Sequence, residues 1–168
     1  DQKDAINCIM GPKNAFLVHG VTGSGKTEVY MRVIEEVLKK GQNAIMLVPE
    51  ISLTPQMLGV FRARFGDLVS LQHSGLTVGE RYDEWYKLRV GFSKIALGPR
   101  SAIFAPLENV GAIIIDEEHD GSYVSDSNPR YQTIDIAKFR ANYNNAKLIL
   151  GSATPSVETY YSALEGQY

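Results

Sequence analysis

Six short apolar runs, separated by helical or turn-like stretches, constrain this chain more than any other feature. They are AFLVHG (15–20), NAIMLVP (43–49), LVSLQHS (68–74), KIALG (94–98), GAIIID (111–116) and AKLILGS (146–152). All have strand length and are rich in Leu or β-branched residues. After the first run, Tyr30, Val33, Ile34, Val37 and Leu38 recur at helical spacing, with Glu35, Glu36, Lys39 and Lys40 opposite them and Gly41 behind. That is an amphipathic helix with a glycine stop. Met57, Leu58, Phe61 and Phe65 mark a second helix, and Tyr82, Trp85, Tyr86 and Arg89 a third beginning near Gly79. Ile136, Phe139, Arg140 and Tyr143 mark a fourth. We expect these aromatic and Met positions to pack in the core or on buried helix faces. Alternating strands and helices predict an α/β fold of three layers, a mostly parallel central sheet flanked by helices.

Composition narrows the partners. At 168 residues and 44% apolar content the chain has enough material for one domain with a buried core. The net charge of −2 gives no global attraction to nucleic acid, so any polyanion contact has to be local. Cys8 is the single cysteine, which excludes an internal disulfide or a cysteine-built zinc site in these residues. We expect it to be a small buried hydrophobe. No apolar run reaches the roughly 18 residues a membrane helix needs, and we expect a cytoplasmic protein without membrane contact. DQKDAI and SVETYYSALEGQY both read as cut ends, so residues 1–168 are expected to be part of a longer chain.

The segment HGVTGSGKTE (19–28) fits G-x-x-x-x-G-K-[ST] and stands between a strand and an amphipathic helix, where that pattern cradles phosphates. The candidate nucleotide-binding residues are Gly20, Val21, Thr22, Gly23, Ser24, Gly25, Lys26, Thr27 and Glu28. Glycines let successive N–H groups approach phosphate oxygens, and the helix N-terminus adds positive potential. Lys26 would reach the terminal phosphates, and Thr27 would hold Mg²⁺. Hydrolysis further needs carboxylates at a strand end. AIIIDEEH supplies them, with Asp116 placed to meet the metal and Glu117 to polarise water. His19 and His73 read as packing or turn residues, and His119 has no second ligand at metal spacing. The stretch 119–132 lacks periodicity and is longer than an ordinary strand-to-helix loop.

Asp116 to His119 resembles the DExH signature of superfamily 2 helicases, and GSATPS (151–156) resembles their third motif. Together GVTGSGKTEVY, VPEISLTPQ, HSGLTVGER, GPRSAIFAP, DEEHDGSY and GSATPSVET resemble the PriA (primosomal protein N′) family of bacterial replication-restart helicases. The likeness runs over essentially the whole chain and covers the first of that family's two RecA-like motor lobes. It implies an ATP- and Mg²⁺-dependent DNA helicase acting on single-stranded and forked DNA in the bacterial cytoplasm. Primosome and single-strand-binding proteins would be its partners, and zinc would be held only in the second lobe. It further implies that Ser52, Thr54, Arg100 and Ser101 meet DNA phosphates, although Ser52 and Thr54 are equally good helix caps. Ser152 and Thr154 would couple nucleotide to DNA. Tyr123, Arg130 and Tyr131 would meet DNA in an aromatic-rich loop, by stacking and cation–π contact. Gln2 resembles the glutamine that recognises adenine in many helicases. Val124, Ile134 and Pro99 depart from the family's usual Lys, Arg and Thr. Two other readings stay open: a different superfamily 2 motor on RNA or DNA, and a hydrolytically idle nucleotide-binding module.

Overall fold

All six apolar runs become strands of one sheet. The computed structural model describes residues 2–21, 23–166 and 168. The strands are β1 (Ala15–His19), β2 (Asn43–Leu47), β3 (Val69–Leu71), β4 (Ile95–Gly98), β5 (Val110–Ile115) and β8 (Lys147–Ser152). They pair in the order β1-β8-β5-β2-β4-β3, parallel throughout. The helices between them are α1 (Gln2–Ile9), α2 (Lys26–Lys39), α3 (Pro55–Phe65), α4 (Val78–Arg89), α5 (Thr133–Asn144) and α6 (Val157–Leu164).

Successive strand residues point to opposite faces, so the sheet divides the core in two. Ala44, Met46, Ala112, Ile114 and Ile149 meet Val29, Tyr30, Val33, Ile34 and Val37 of α2 on one side. Ile45, Leu47, Ile113, Ile115 and Leu150 meet Ala137 and Ala141 of α5 on the other. This is the three-layer arrangement that the alternating pattern predicts. Each fully buried Ile or Leu contributes about 1.5–3 kcal/mol.

Two helices turn a different face inward from the one expected. In α4 only Leu88 is buried, and Tyr82, Trp85 and Tyr86 are exposed. The helix lies beside β3, a three-residue edge strand that offers little surface to cover. In α5 the buried stripe is Thr133, Ala137 and Ala141, while Phe139 and Tyr143 point outward. Small side chains let α5 lie close on β5, which large aromatics in that stripe would prevent. Cys8 is exposed, contrary to the expectation of burial, because Ala5, Ile6, Ile9 and Met10 form the inward face of α1. The stretch 119–132 is structured as well. It contains a 3₁₀ turn (Gly121–Tyr123) and a small antiparallel hairpin, β6 (Val124–Ser125) with β7 (Tyr131–Gln132). Among the described residues no helix is long and apolar enough to cross a membrane.

Candidate nucleotide site and nucleic-acid edge

The chemistry-bearing segments all emerge at the carboxyl ends of the parallel strands, the edge where open α/β sheets bind ligands. After β1, Gly23 and Gly25 adopt left-handed φ of 79° and 87°, which side chains resist. A Cβ on Gly20 would meet Ser24 Oγ at 2.8 Å, and one on Gly25 would run into the Gln2 side-chain amide. Gln2 therefore packs against the loop. Lys26 is buried at the start of α2, and its Nζ donates to the Gly20 and Val21 carbonyls at 2.7 and 3.4 Å. Thr27 is half-buried on the same turn. Thr22 lies outside the described residues. Glycine torsions, a buried ammonium and a helix N-terminus fit a phosphate chain.

The side chain of Glu28 links α2 to α3. Its carboxylate accepts from Arg32 at 2.8 Å and from Arg64 of α3 at 2.6 Å, so its side chain is a strut between helices. Hydrogen bonds from Arg64 and then Arg32 hold it below the usual carboxylate range. Glu35, bonded by the same Arg64 at 2.6 Å, is likewise lowered.

At the end of β5, Asp116 N continues the sheet by donating to Leu47 O at 2.9 Å. Burial raises its carboxyl above the ordinary range, a rise opposed by the Tyr30 hydroxyl, which donates to Oδ1 at 2.9 Å. Tyr30 is fully buried in α2, and a Cβ on Gly151 would collide with its hydroxyl, so the glycine of GSATPS makes room for this bond. Neither role was visible in the sequence, where Tyr30 read only as a core position. Glu117 sits at φ 48°, a left-handed conformation costing a non-glycine residue about 1 kcal/mol. Such strain clusters at functional sites. The bend sends the neighbouring carboxylates in different directions. Glu117 Oε1 comes within 3.8 Å of Lys26 Nζ, whereas Glu118 turns inward and is only 3% exposed. Glu118 accepts from Ser156 N at 2.7 Å and Thr159 Oγ1 at 3.1 Å, fixing the start of α6. His119 Nδ1 is hydrogen-bonded to Ser152 Oγ at 2.7 Å, and its Nε2 lies 3.4 Å from Thr154 Oγ1. Glu117 Oε2 lies 3.7 Å from His119 Nδ1. A polar line thus runs from Lys26 through Glu117 and His119 to Ser152 and Thr154.

Beyond β4, Arg100 donates to the carbonyls of Ser122 and Val124 at 3.2 and 2.7 Å, tying the strand end to the hairpin. A cavity of about 450 Å³ opens there, lined by Glu50, His73, Arg81, Arg100, Ser101 and Ser122. Ser101 is exposed. Ser52 and Thr54 are not in that lining, and Thr54 Oγ1 caps α3 by accepting from Met57 N at 3.2 Å. His73 closes a turn by accepting from Gly75 N, and His19 packs edge-on against Tyr160.

The family model for DEAD/DEAH box helicases matches residues 1–162. The chain belongs to the DEAD/DEAH box helicase family. It is 56% identical over 153 residues to the replication restart protein PriA of Bacillus subtilis, 91% of this chain and 19% of that one. The chain therefore spans about a fifth of the length of that relative. Among solved structures, a DEAD box protein from Methanococcus jannaschii superposes with a TM-score of 0.71 at 21% identity, covering 98% of this chain and 46% of the other. RecG bound to a three-way DNA junction gives 0.67 at 25% identity, covering 98% and 22%. Helicases of this family act with ATP, typically with Mg²⁺.

In this chain the aromatic-rich segment is not a uniform contact surface. Tyr123 is 3% exposed, and its hydroxyl donates to the Asp116 carbonyl at 2.7 Å, so it cannot touch a strand lying on the surface. The hairpin brings it inward because Thr133 Oγ1 holds the Tyr123 carbonyl from the start of α5. Arg130 is exposed, and Tyr131 is half-buried, edge-on to Phe104 at 5.2 Å. Ser152 is fully buried, which fits a coupling position and not a surface contact. Val124 is exposed on the hairpin, and Ile134 packs against the core.

Proposed function

We propose that this chain is the first motor lobe of a PriA-type ATP-dependent DNA helicase, which translocates on single-stranded DNA and restarts stalled forks. The observation that carries the reading is the polar line from Lys26 through Glu117 and His119 to Ser152 and Thr154. It joins the phosphate cradle to the third motif, as a motor that converts hydrolysis into strand movement requires. The similarity to PriA supports the choice of DNA and of fork restart.

Lys26 binds and orients the terminal phosphates, with the loop from Gly20 to Thr27 wrapping them. Thr27 and Asp116 would hold Mg²⁺, which would neutralise charge on the phosphate oxygens. Glu117 orients the attacking water and accepts its proton. Tyr30 holds the Asp116 carboxylate in place. Arg100, Ser101 and Arg130 contact the strand, while Ser52 and Thr54 adjoin it. Tyr123 reports the state of the hairpin to Asp116 through its buried hydrogen bond. A second lobe completes the site with arginine fingers, so the isolated lobe hydrolyses ATP poorly. Forked and single-stranded DNA, primosome proteins and single-strand-binding protein are the partners, and the bacterial cytoplasm is the place of action. Any zinc belongs to the second lobe.

The test is ATP hydrolysis by the full-length parent, alone and with single-stranded DNA, forked DNA or RNA. Many-fold stimulation by DNA and none by RNA is expected. Stimulation by RNA instead would replace this reading with another superfamily 2 motor, and absence of turnover would leave a nucleotide-binding module.

A further inference from the structure

Beside the cavity at Arg100 lies a second one of about 470 Å³ whose character is different. Both are bordered by Gln72, Arg81 and Ser101, so they form one continuous groove. The second half is walled by Val78, Tyr82 and Trp85 of α4 and by Phe104 and Pro106 from the segment after β4. Tyr82, Trp85 and Phe104 are 61%, 41% and 56% exposed, an unusual concentration of large rings on one surface. The ring planes are ordered. Tyr82 lies 6.1 Å from Trp85 with 28° between planes and 6.2 Å from Tyr86 with 19°. Phe104 is braced from the side by the edge of Tyr131, at 81°.

The charge pattern identifies the occupant. Arg81 is the one charged residue lining the aromatic half, and it stands at the junction with the half that holds Arg100. Of the acids of α4, Asp83 is not in the lining, and Glu80 and Glu84 are engaged elsewhere. Glu80 closes the capping box with Thr77, and Glu84 accepts from Lys87 and from Leu71 N on the β3 side. A shelf of flat rings with no acid in its lining continues directly from a groove lined by Arg81, Arg100, Ser101 and Ser122, in which Glu50 is hydrogen-bonded by Ser74 Oγ, and this suits a polymer with an anionic backbone and flat apolar faces. Stacking on aromatic side chains is how such strands are held without sequence preference.

The geometry points to the shelf of Tyr82, Trp85 and Phe104 as a base-stacking platform that extends the single-stranded DNA path beyond the phosphate-contacting groove at Arg81, Arg100 and Ser101. This inference rests on the DNA-motor reading above. It gives exposed α4 aromatics a function and gives the Phe104–Tyr131 contact a purpose. A base seated on Phe104 bears on Tyr131 of the hairpin, which follows directly on Tyr123 and its bond to the Asp116 carbonyl.

The test uses the full-length protein and a fluorescently labelled oligothymidylate, with affinity measured by anisotropy over a salt series. Trp85→Ala is expected to weaken binding about 5- to 150-fold, the range for losing one base–aromatic stack. Trp85→Phe should restore most of it. The salt slope of Trp85→Ala should match that of the unaltered protein, because stacking releases no counterions, whereas Arg81→Ala should lower it by about 0.7. Undiminished affinity in both Trp85→Ala and Tyr82→Ala, with binding by the unaltered protein intact, would overturn the platform alone. So would a Trp85→Phe as weak as Trp85→Ala, or an altered salt slope in Trp85→Ala. If the unaltered protein neither binds the oligonucleotide nor is stimulated by it, the DNA-motor reading itself falls.

Discussion

Removing the Tyr30 hydroxyl tests how this fold tolerates the buried carboxylate of Asp116. Tyr30→Phe keeps the fully buried ring and deletes one donor to Asp116 Oδ1, so it opens almost no cavity. A hydrogen bond to a charged group is worth about 1.5–3 kcal/mol, and a neutral one about 0.5–1.5. At about 2–4 °C per kcal/mol for a domain of this size, the melting temperature at neutral pH should fall by about 3–12 °C. The pH dependence is the sharper part. Burial raises the folded-state carboxyl of Asp116 above its unfolded value, and the Tyr30 bond moderates that rise. The folded protein therefore binds more protons than the unfolded chain between those two values, and its stability falls as pH rises through that window. Tyr30→Phe lifts the folded value further. Its destabilisation should be small where Asp116 is protonated in both states, grow as pH rises through the window, and then level off. Urea unfolding of both proteins across a pH series reads this directly. A loss that is the same at every pH would refute the argument, since it would mean the hydroxyl does not interact with an ionised Asp116.

Other outcomes follow from the same contacts. Gly151→Ala should be strongly destabilising, because its Cβ collides with the Tyr30 hydroxyl, and its cost should shrink in a Tyr30→Phe background; strict additivity in a double-mutant cycle would exclude the coupling. Glu117→Gln in the full-length parent should keep nucleotide affinity and lose about 10²- to 10⁴-fold in turnover. Glu117→Gly should be as inactive yet no less stable, because relieved left-handed strain of about 1 kcal/mol offsets the entropy cost of glycine; a marked fall in its melting temperature would argue against strain. Arg64→Ala should cost about 1 kcal/mol at neutral pH, a modest figure because Glu28 and Glu35 are each about a third exposed. Their lowered carboxyls make that contribution present above the ordinary carboxylate range and lost as pH falls, so the difference from the unaltered protein should vanish in acid. Cys8 should react with a thiol reagent in the folded chain as fast as in the unfolded one, and protection by folding would contradict its exposure.

The strands, the glycine-rich loop and the acidic strand end could be read from the sequence because each is a local matter. A run of Leu and β-branched residues has few uses other than a buried strand, and Gly20, Gly25, Lys26 and Thr27 act within one turn of backbone. Thr54 was legible as a cap for the same reason, its partner Met57 N being three residues away. Helix positions were legible, but their buried faces were not. The stripe Tyr82, Trp85, Tyr86 has helical spacing whichever way it points. What decides is the neighbouring surface, and β3 at the sheet edge supplies too little to bury it.

The sequence by itself determined the α/β class, the six strands, the nucleotide-binding pattern and the family, because short-range torsions and apolar periodicity leave few alternatives. Tertiary structure alone decided what surrounds Asp116, Glu118 and Tyr123. Tyr30 meets Asp116 across 86 residues of chain, and Glu118 meets Thr159 across 41. Tyr123 goes inward and Cys8 outward for reasons that lie in the elements packed beside them. The physical reason is that a side chain's spacing records its own helix or strand, whereas its burial, its partners and its proton affinity are set by groups that only folding brings near.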